Sequence, residues 1–139
     1  MRSLTKAAAI TLLATVLAMS GWAAYAESTS KPEITRKEIL NTTLQGLKGY
    51  DGVMYITDIP PGMSAPRHLH PGYEFNYILK GSVSYQPDGK KAFTLNAGQG
   101  TYNPANNIHK VWNPSKTEPA QLVAVLIKET GKPLAIPAP

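Results

Sequence analysis

The chain has no cysteine, and that absence excludes a large share of protein chemistry. It uses no disulfide, even if its compartment permits them, and it can build neither a thiolate zinc finger nor an iron–sulfur cluster. Any metal must be held by nitrogen and oxygen, and stability must come from packing, aided by that metal where one binds. A Gly-x-Ser-x-Gly elbow is also missing, so no serine or cysteine nucleophile presents itself. No carboxylate pair suited to glycoside chemistry stands out. The glycine-rich stretch from Gln45 to Gly52 lacks the Gly-Lys-Ser/Thr ending of a phosphate-binding loop and reads as a turn. There is no internal repeat, no low-complexity block and no segment of convincing helical period.

Long hydrophobic runs are equally scarce. The one from Ala7 to Met19 falls short of the ~20 residues that span a bilayer, and nothing later approaches that length. Preceded by Arg2 and Lys6 and followed by Ala24-Tyr25-Ala26, it has the basic, apolar and A-x-A parts of an export signal. Residues 1–26 are therefore expected to be a signal peptide cleaved after Ala26. The mature protein is expected to be periplasmic or secreted, with no membrane attachment. Loss of Arg2 and Lys6 lowers the formal net charge of +5 by two. The remaining cations are mixed with acids, as in Lys31, Glu33, Arg36, Lys37 and Glu38, so no nucleic-acid stripe is expected.

Short β-rich runs separated by turn signals make up the rest. They cover Ile34 to Leu44, Val53 to Ile59, Glu74 to Leu79, Ser82 to Gln86, Lys91 to Leu95, Thr101 to Asn103, Ile108 to Trp112 and Gln121 to Lys128. This spacing predicts an all-β antiparallel sandwich or small barrel of one domain. Residues 27–50 read as an N-terminal arm and first strand, 51–130 as the barrel, and 131–139, with three prolines, as a flexible extended tail.

All three histidines lie in a suggestive setting: His68-Leu-His70-Pro-Gly-Tyr-Glu74, with His109 downstream. On a strand, residues two apart share a face, so His68 and His70 can point at one spot. Pro71-Gly72 lets the chain reverse so that Glu74 returns to it, and His109 can close the set from another strand. Three imidazoles and a carboxylate suit one divalent transition metal, Mn, Fe, Co, Ni, Cu or Zn, better than calcium or magnesium. Open coordination positions would make the site catalytic, and a closed tetrahedron would make it structural; spacing leaves both open. Asn76 shares the face of Glu74 and is a candidate substrate-pocket residue. Arg67 should point away from His68. Tyr73, Phe75, Tyr77, Tyr102 and Trp112 read mostly as packing, with Phe75, Tyr77 and Trp112 partly on an outer face that could bury itself in a homodimer.

The run Gly62-x5-His68-x-His70-x3-Glu74-x6-Gly81 resembles the first motif of the cupin superfamily, with every position filled. Gly98-x5-Pro104-x-Asn106-x2-His109-x3-Asn113 resembles the second, with Asn106 where the family usually has glycine. Asparagine tolerates a left-handed backbone, so the turn should survive that change. The resemblance implies a cupin-type jelly-roll barrel of the compact single-domain kind. It also implies a metal in the barrel mouth, held by His68, His70, Glu74 and His109, with open positions facing a pocket. Germin-like and dioxygenase-type cupins suggest an oxidoreductase acting on a small organic molecule, with Glu74 as ligand and proton acceptor. The alternative is a non-catalytic metal or small-ligand binding module, a sensor or carrier, on the same barrel, because a fold does not choose a reaction.

Overall fold

A computed structural model describes residues 31–139; the expected signal peptide lies outside the described residues. Ten strands succeed one another: β1 (Thr35–Thr43), β2 (Tyr50–Ile59), β3 (Ser64–Leu69), β4 (Gly72–Lys80), β5 (Ser82–Pro87), β6 (Phe93–Asn96), β7 (Gly100–Asn103), β8 (His109–Trp112), β9 (Ala120–Glu129) and β10 (Ile136–Pro137). They form two five-stranded antiparallel sheets, ordered β1-β2-β9-β4-β7 and β10-β3-β8-β5-β6. No helix among the described residues is long and apolar enough to cross a membrane.

Period-two alternation builds the core. In β4 the side chains of Glu74, Asn76 and Ile78 are buried while Tyr73, Phe75, Tyr77 and Leu79 face out. β9, central in its sheet, buries Leu122, Ala124 and Leu126 on the inner face. Val53, Tyr55 and Ile59 of β2 join them, and Val83, Tyr85 and Val111 come from the opposite sheet. Ala124 stands across from both Tyr55 of β2 and Asn76 of β4. Its small side chain leaves room between two larger ones, whose polar atoms both reach Glu74.

The turns follow their local chemistry. Asn106 adopts a left-handed φ of 61°, as its place in the second motif leads one to expect. Its N–H donates to the carbonyl of His70 at 2.8 Å, which ties the loop before β8 to the end of β3.

The strand expected between Ile34 and Leu44 is β1, which pairs with β2 from Thr35 to Thr43 and is the sheet's edge strand. One boundary differs from the sequence expectation. The C-terminal residues are not a free tail. Ile136 and Pro137 pair with Leu69 and His68, and the Ala138 N–H donates to the Arg67 carbonyl at 3.0 Å. Prolines do not prevent this, since β10 is an edge strand and needs ladder bonds on one side only.

Gly72 sets the approach of β4 to β9. A Cβ at that position would lie 2.2 Å from the Ile127 carbonyl oxygen and 2.6 Å from the Lys128 Cα, both backbone atoms that cannot turn aside. Gly72→Ala is therefore expected to destabilise the protein by about 1–3 kcal/mol, as overpacking does, read as a lower urea midpoint. An unchanged midpoint would show that the two strands do not approach so closely.

Candidate metal centre

His68 on β3 pairs across the sheet with His109, the first residue of β8, so strand register alone brings these two imidazoles together. His70 follows the end of β3 and keeps the inward phase of His68. The ring centroids lie 4.5 Å apart for His68 and His109, 5.0 Å for His68 and His70, and 5.3 Å for His70 and His109. One nitrogen from each ring lies within 4.8 Å of the others, a cluster compatible with one metal ion.

Each ring is turned by a backbone carbonyl. Nδ1 of His68 lies 2.7 Å from the Pro66 oxygen, Nδ1 of His70 2.5 Å from the Leu134 oxygen, and Nδ1 of His109 3.0 Å from the Asn107 oxygen. A carbonyl can only accept, so each Nδ1 carries the proton and each Nε2 keeps a lone pair. Burial pushes all three pKa values below the ordinary histidine range, because the charged form loses its water. The rings are thus neutral at neutral pH and able to ligate.

Glu74, 4 % exposed, is the one acid in this interior. Burial alone would push its carboxyl up, but the His70 ring and hydrogen bonds from Tyr55, Asn76 and Asn103 hold it below the ordinary carboxylate range. Since His70 is itself neutral, the three donors are the decisive cause. Tyr55 Oη donates to Oε1 at 2.6 Å, and Asn76 Nδ2 and Asn103 Nδ2 donate to Oε2 at 2.9 and 2.6 Å. Burial and the adjacent carboxylate raise the Tyr55 pKa, so its hydroxyl stays a donor. Oε1 also lies 3.3 Å from His70 Nε2, which places the carboxylate beside the imidazole cluster.

The four residues, Asn76 and Tyr85 line an interior cavity of about 30 Å³. Among the described residues, the buried side-chain polar atoms without a hydrogen-bond partner are Tyr85 Oη and His109 Nε2, and both residues line this cavity. An unpaired buried polar atom is costly, and an ion at Nε2 would remove that cost. Neutral imidazoles with Nδ1 committed, a carboxylate alongside and an orphaned Nε2 all fit a divalent transition metal.

The structure brings His68, His70 and His109 together at ligand spacing; Glu74 lies against His70 but outside that three-histidine cluster, and Asn76 is buried where it bonds the Glu74 carboxylate. Arg67 points outward, as expected, pairing with Asp88 and donating to the Pro139 carbonyl. Tyr73 and Tyr102 are not packing residues, for both are nearly half exposed. Sequence reasoning missed Tyr55, Asn103 and Tyr85, whose signal was the strand alternation that points them inward. It also missed Arg36, which reaches the cavity from β1, and the Leu134 carbonyl, a backbone atom that leaves no trace in sequence.

A cupin-domain family model matches residues 55–126, more than half of the chain. The auxin-binding proteins T85 and T92 of Nicotiana tabacum are each 25 % identical over 109 residues, covering 72 % of this chain and 57 % of their own length. The chain therefore spans little more than half of the curated relatives it matches. Among solved structures, a double-stranded β-helix protein from Klebsiella pneumoniae superimposes with a TM-score of 0.62 at 24 % identity, covering 77 % of this chain and 88 % of that one. A cupin-like protein from Thermotoga maritima gives 0.61 at 22 %, covering 76 % and 75 %. The DMSP lyase DddQ of Ruegeria pomeroyi gives 0.56 at 20 %, covering 63 % of this chain and 43 % of that one. At these identities the likeness is one of fold.

Tyr55→Phe keeps the buried ring and removes the donor to Oε1. Loss of such an orienting partner is expected to weaken metal affinity by about 10–100-fold while the protein stays folded, measured by competition with a chelator of known affinity. Unchanged affinity would mean that Tyr55 does not position Glu74 for the ion.

Proposed function

The chain belongs to the cupin superfamily, and from that premise we propose that it is an exported metal-dependent enzyme that oxidises a small organic molecule with dioxygen. His68, His70 and His109 hold the ion, and Glu74 is the fourth ligand through Oε1. A divalent transition metal bound there supplies a Lewis-acid centre that can polarise a substrate oxygen and activate dioxygen. The observation that carries this reading is the set of three Nε2 lone pairs facing a cavity. Three protein nitrogens and one carboxylate would hold the ion and would let it also take a substrate oxygen.

The chain's own residues then divide the work. The donors on Glu74 stabilise its ionised form, which makes it a good ligand and a weak proton acceptor. Asn76 and Asn103 act by fixing Oε2, which leaves Oε1 toward His70. Tyr85, whose pKa burial pushes up, keeps its hydroxyl proton, and its unpartnered Oη on the cavity wall would be a hydrogen-bond donor to a molecule held there. The cavity of about 30 Å³ holds only a few atoms. The body of a substrate must therefore lie in the adjoining hollow of about 360 Å³, which shares the walls Ile34, Arg36, Ala65 and His68. Export rests on the pattern of residues 1–26.

A second reading, a non-catalytic binding module on the same barrel, is favoured by the names of the auxin-binding relatives. Turnover separates the two. We further propose a homodimer in which a second copy covers the outward band of Tyr73, Phe75, Tyr77, Leu79 and Tyr102, each 42–49 % exposed. Phe75 and Tyr102 already pack there with tilted rings, centroids 5.2 Å apart.

Purified protein should carry a stoichiometric transition metal by elemental analysis and show oxygen uptake with a phenol, dicarboxylate or diketone. His70→Ala should lose most of the metal and the uptake together. Uptake that survives metal loss would sink the catalytic reading, and a metal-loaded protein without uptake on any substrate would favour the binding module. Sedimentation at micromolar concentration should give twice the chain mass; a single-chain mass would remove the dimer.

A further inference from the structure

We propose that the larger hollow beside the metal centre recognises an amphipathic organic anion, a carboxylate on an apolar body, and that Arg36 is the residue that binds the carboxylate. The proposal deepens the reading of the site as one that takes a small organic molecule.

Strand register puts Arg36 in place. On β1 it stands opposite Thr57 of β2, whose side chain is buried. Directly paired residues of an antiparallel ladder share a face, so the guanidinium rises from the inner face of the sheet, while the edge position of β1 leaves it open to solvent. Arg36 accordingly lines both the histidine cavity and the larger hollow and belongs to the wall they share.

The composition of that wall gives the ligand its class. Ile34, Met63, Ala65, Pro66, Ala135 and Pro137 make it apolar, Ser64 and His68 add polar atoms, and Arg36 is the single Arg, Lys, Asp or Glu side chain among its described lining residues. An apolar pocket with one fixed polar anchor selects a ligand of matching polarity. A guanidinium offers a planar fork that fits a carboxylate in bidentate fashion, and weak hydration suits it to a partly apolar setting. The volume of about 360 Å³ lies within the range of small-molecule sites.

Arg36 is also uncommitted. Among the described residues it makes no ion pair and no side-chain hydrogen bond, whereas Arg67 on β3, in the other sheet, is held by Asp88 and the Pro139 carbonyl. The acid lining the adjoining cavity, Glu74, accepts hydrogen bonds from Tyr55, Asn76 and Asn103 and none from Arg36.

The test is calorimetric titration of the metal-loaded protein with phenylpropionate and with phenylpropionamide, its uncharged analogue. Wild-type protein should bind the acid at least about tenfold tighter than the amide, the scale of one charge-assisted pair. Arg36→Gln should erase that preference without weakening the amide, and Arg36→Lys should restore part of it. The same titration after metal removal should retain the preference, which separates the guanidinium from direct ligation by the ion. Equal affinities in the wild type, a preference that survives Arg36→Gln, or no binding of either probe would overturn the proposal. Metal analysis of the same samples distinguishes the two failures. A protein that holds no metal but keeps an Arg36-dependent preference contradicts the proposed metal function and leaves the anion site standing.

Discussion

Three backbone carbonyls, those of Pro66, Asn107 and Leu134, each accept the Nδ1 proton of one histidine, and the site depends on that constraint. A neutral imidazole has one proton to place. Once it is committed to Nδ1, the lone pair must lie on Nε2, and the direction of that lone pair is set by the backbone segment carrying the carbonyl. Burial adds the second requirement, because it disfavours the protonated ring that could not bind a cation. Two of the carbonyls come from residues two positions before their histidine, so β3 and the loop leading into β8 each orient the ring that follows. The third comes from the C-terminal segment, which explains why that segment is docked on β3 by the Ile136 and Pro137 pairing.

The buried carboxylate is the complementary constraint. An ionised acid inside a barrel is costly unless its lone pairs are satisfied, and Glu74 is satisfied from three other strand positions, Tyr55, Asn76 and Asn103. Those donors meet only because β2, β9, β4 and β7 lie side by side, with Ala124 leaving space between Tyr55 and Asn76. The packing that stabilises the sheet and the network that holds the acid ionised are thus one arrangement. Gly72, two residues before Glu74, allows β4 to lie close enough to β9 for this register to form.

The histidines and the acid were legible in sequence because their signal is local: a two-residue strand period, a Pro-Gly reversal and a second histidine motif after a turn. The left-handed Asn106 was legible for the same reason. Strand positions were mostly readable from alternation between turn signals, but β10 was not, since proline signals a break and only tertiary pairing at an edge overrides it. Arg36 and the Leu134 carbonyl could not be read, because one reaches the site through cross-strand register and the other is a backbone atom. The exposed aromatics were half legible: alternation placed Phe75 and Tyr77 outside, yet aromatic character suggested packing for Tyr73 and Tyr102.

The central claim, that three Nε2 atoms converge on one ion with Glu74 beside them, is tested most directly by X-ray absorption spectroscopy of the metal-loaded protein. The account predicts three imidazole nitrogens with outer-shell ring scattering and at least one oxygen, at about 2.0–2.2 Å for a zinc-sized ion. A shell with fewer than three imidazoles, or a spectrum unchanged by His109→Ala, would contradict it.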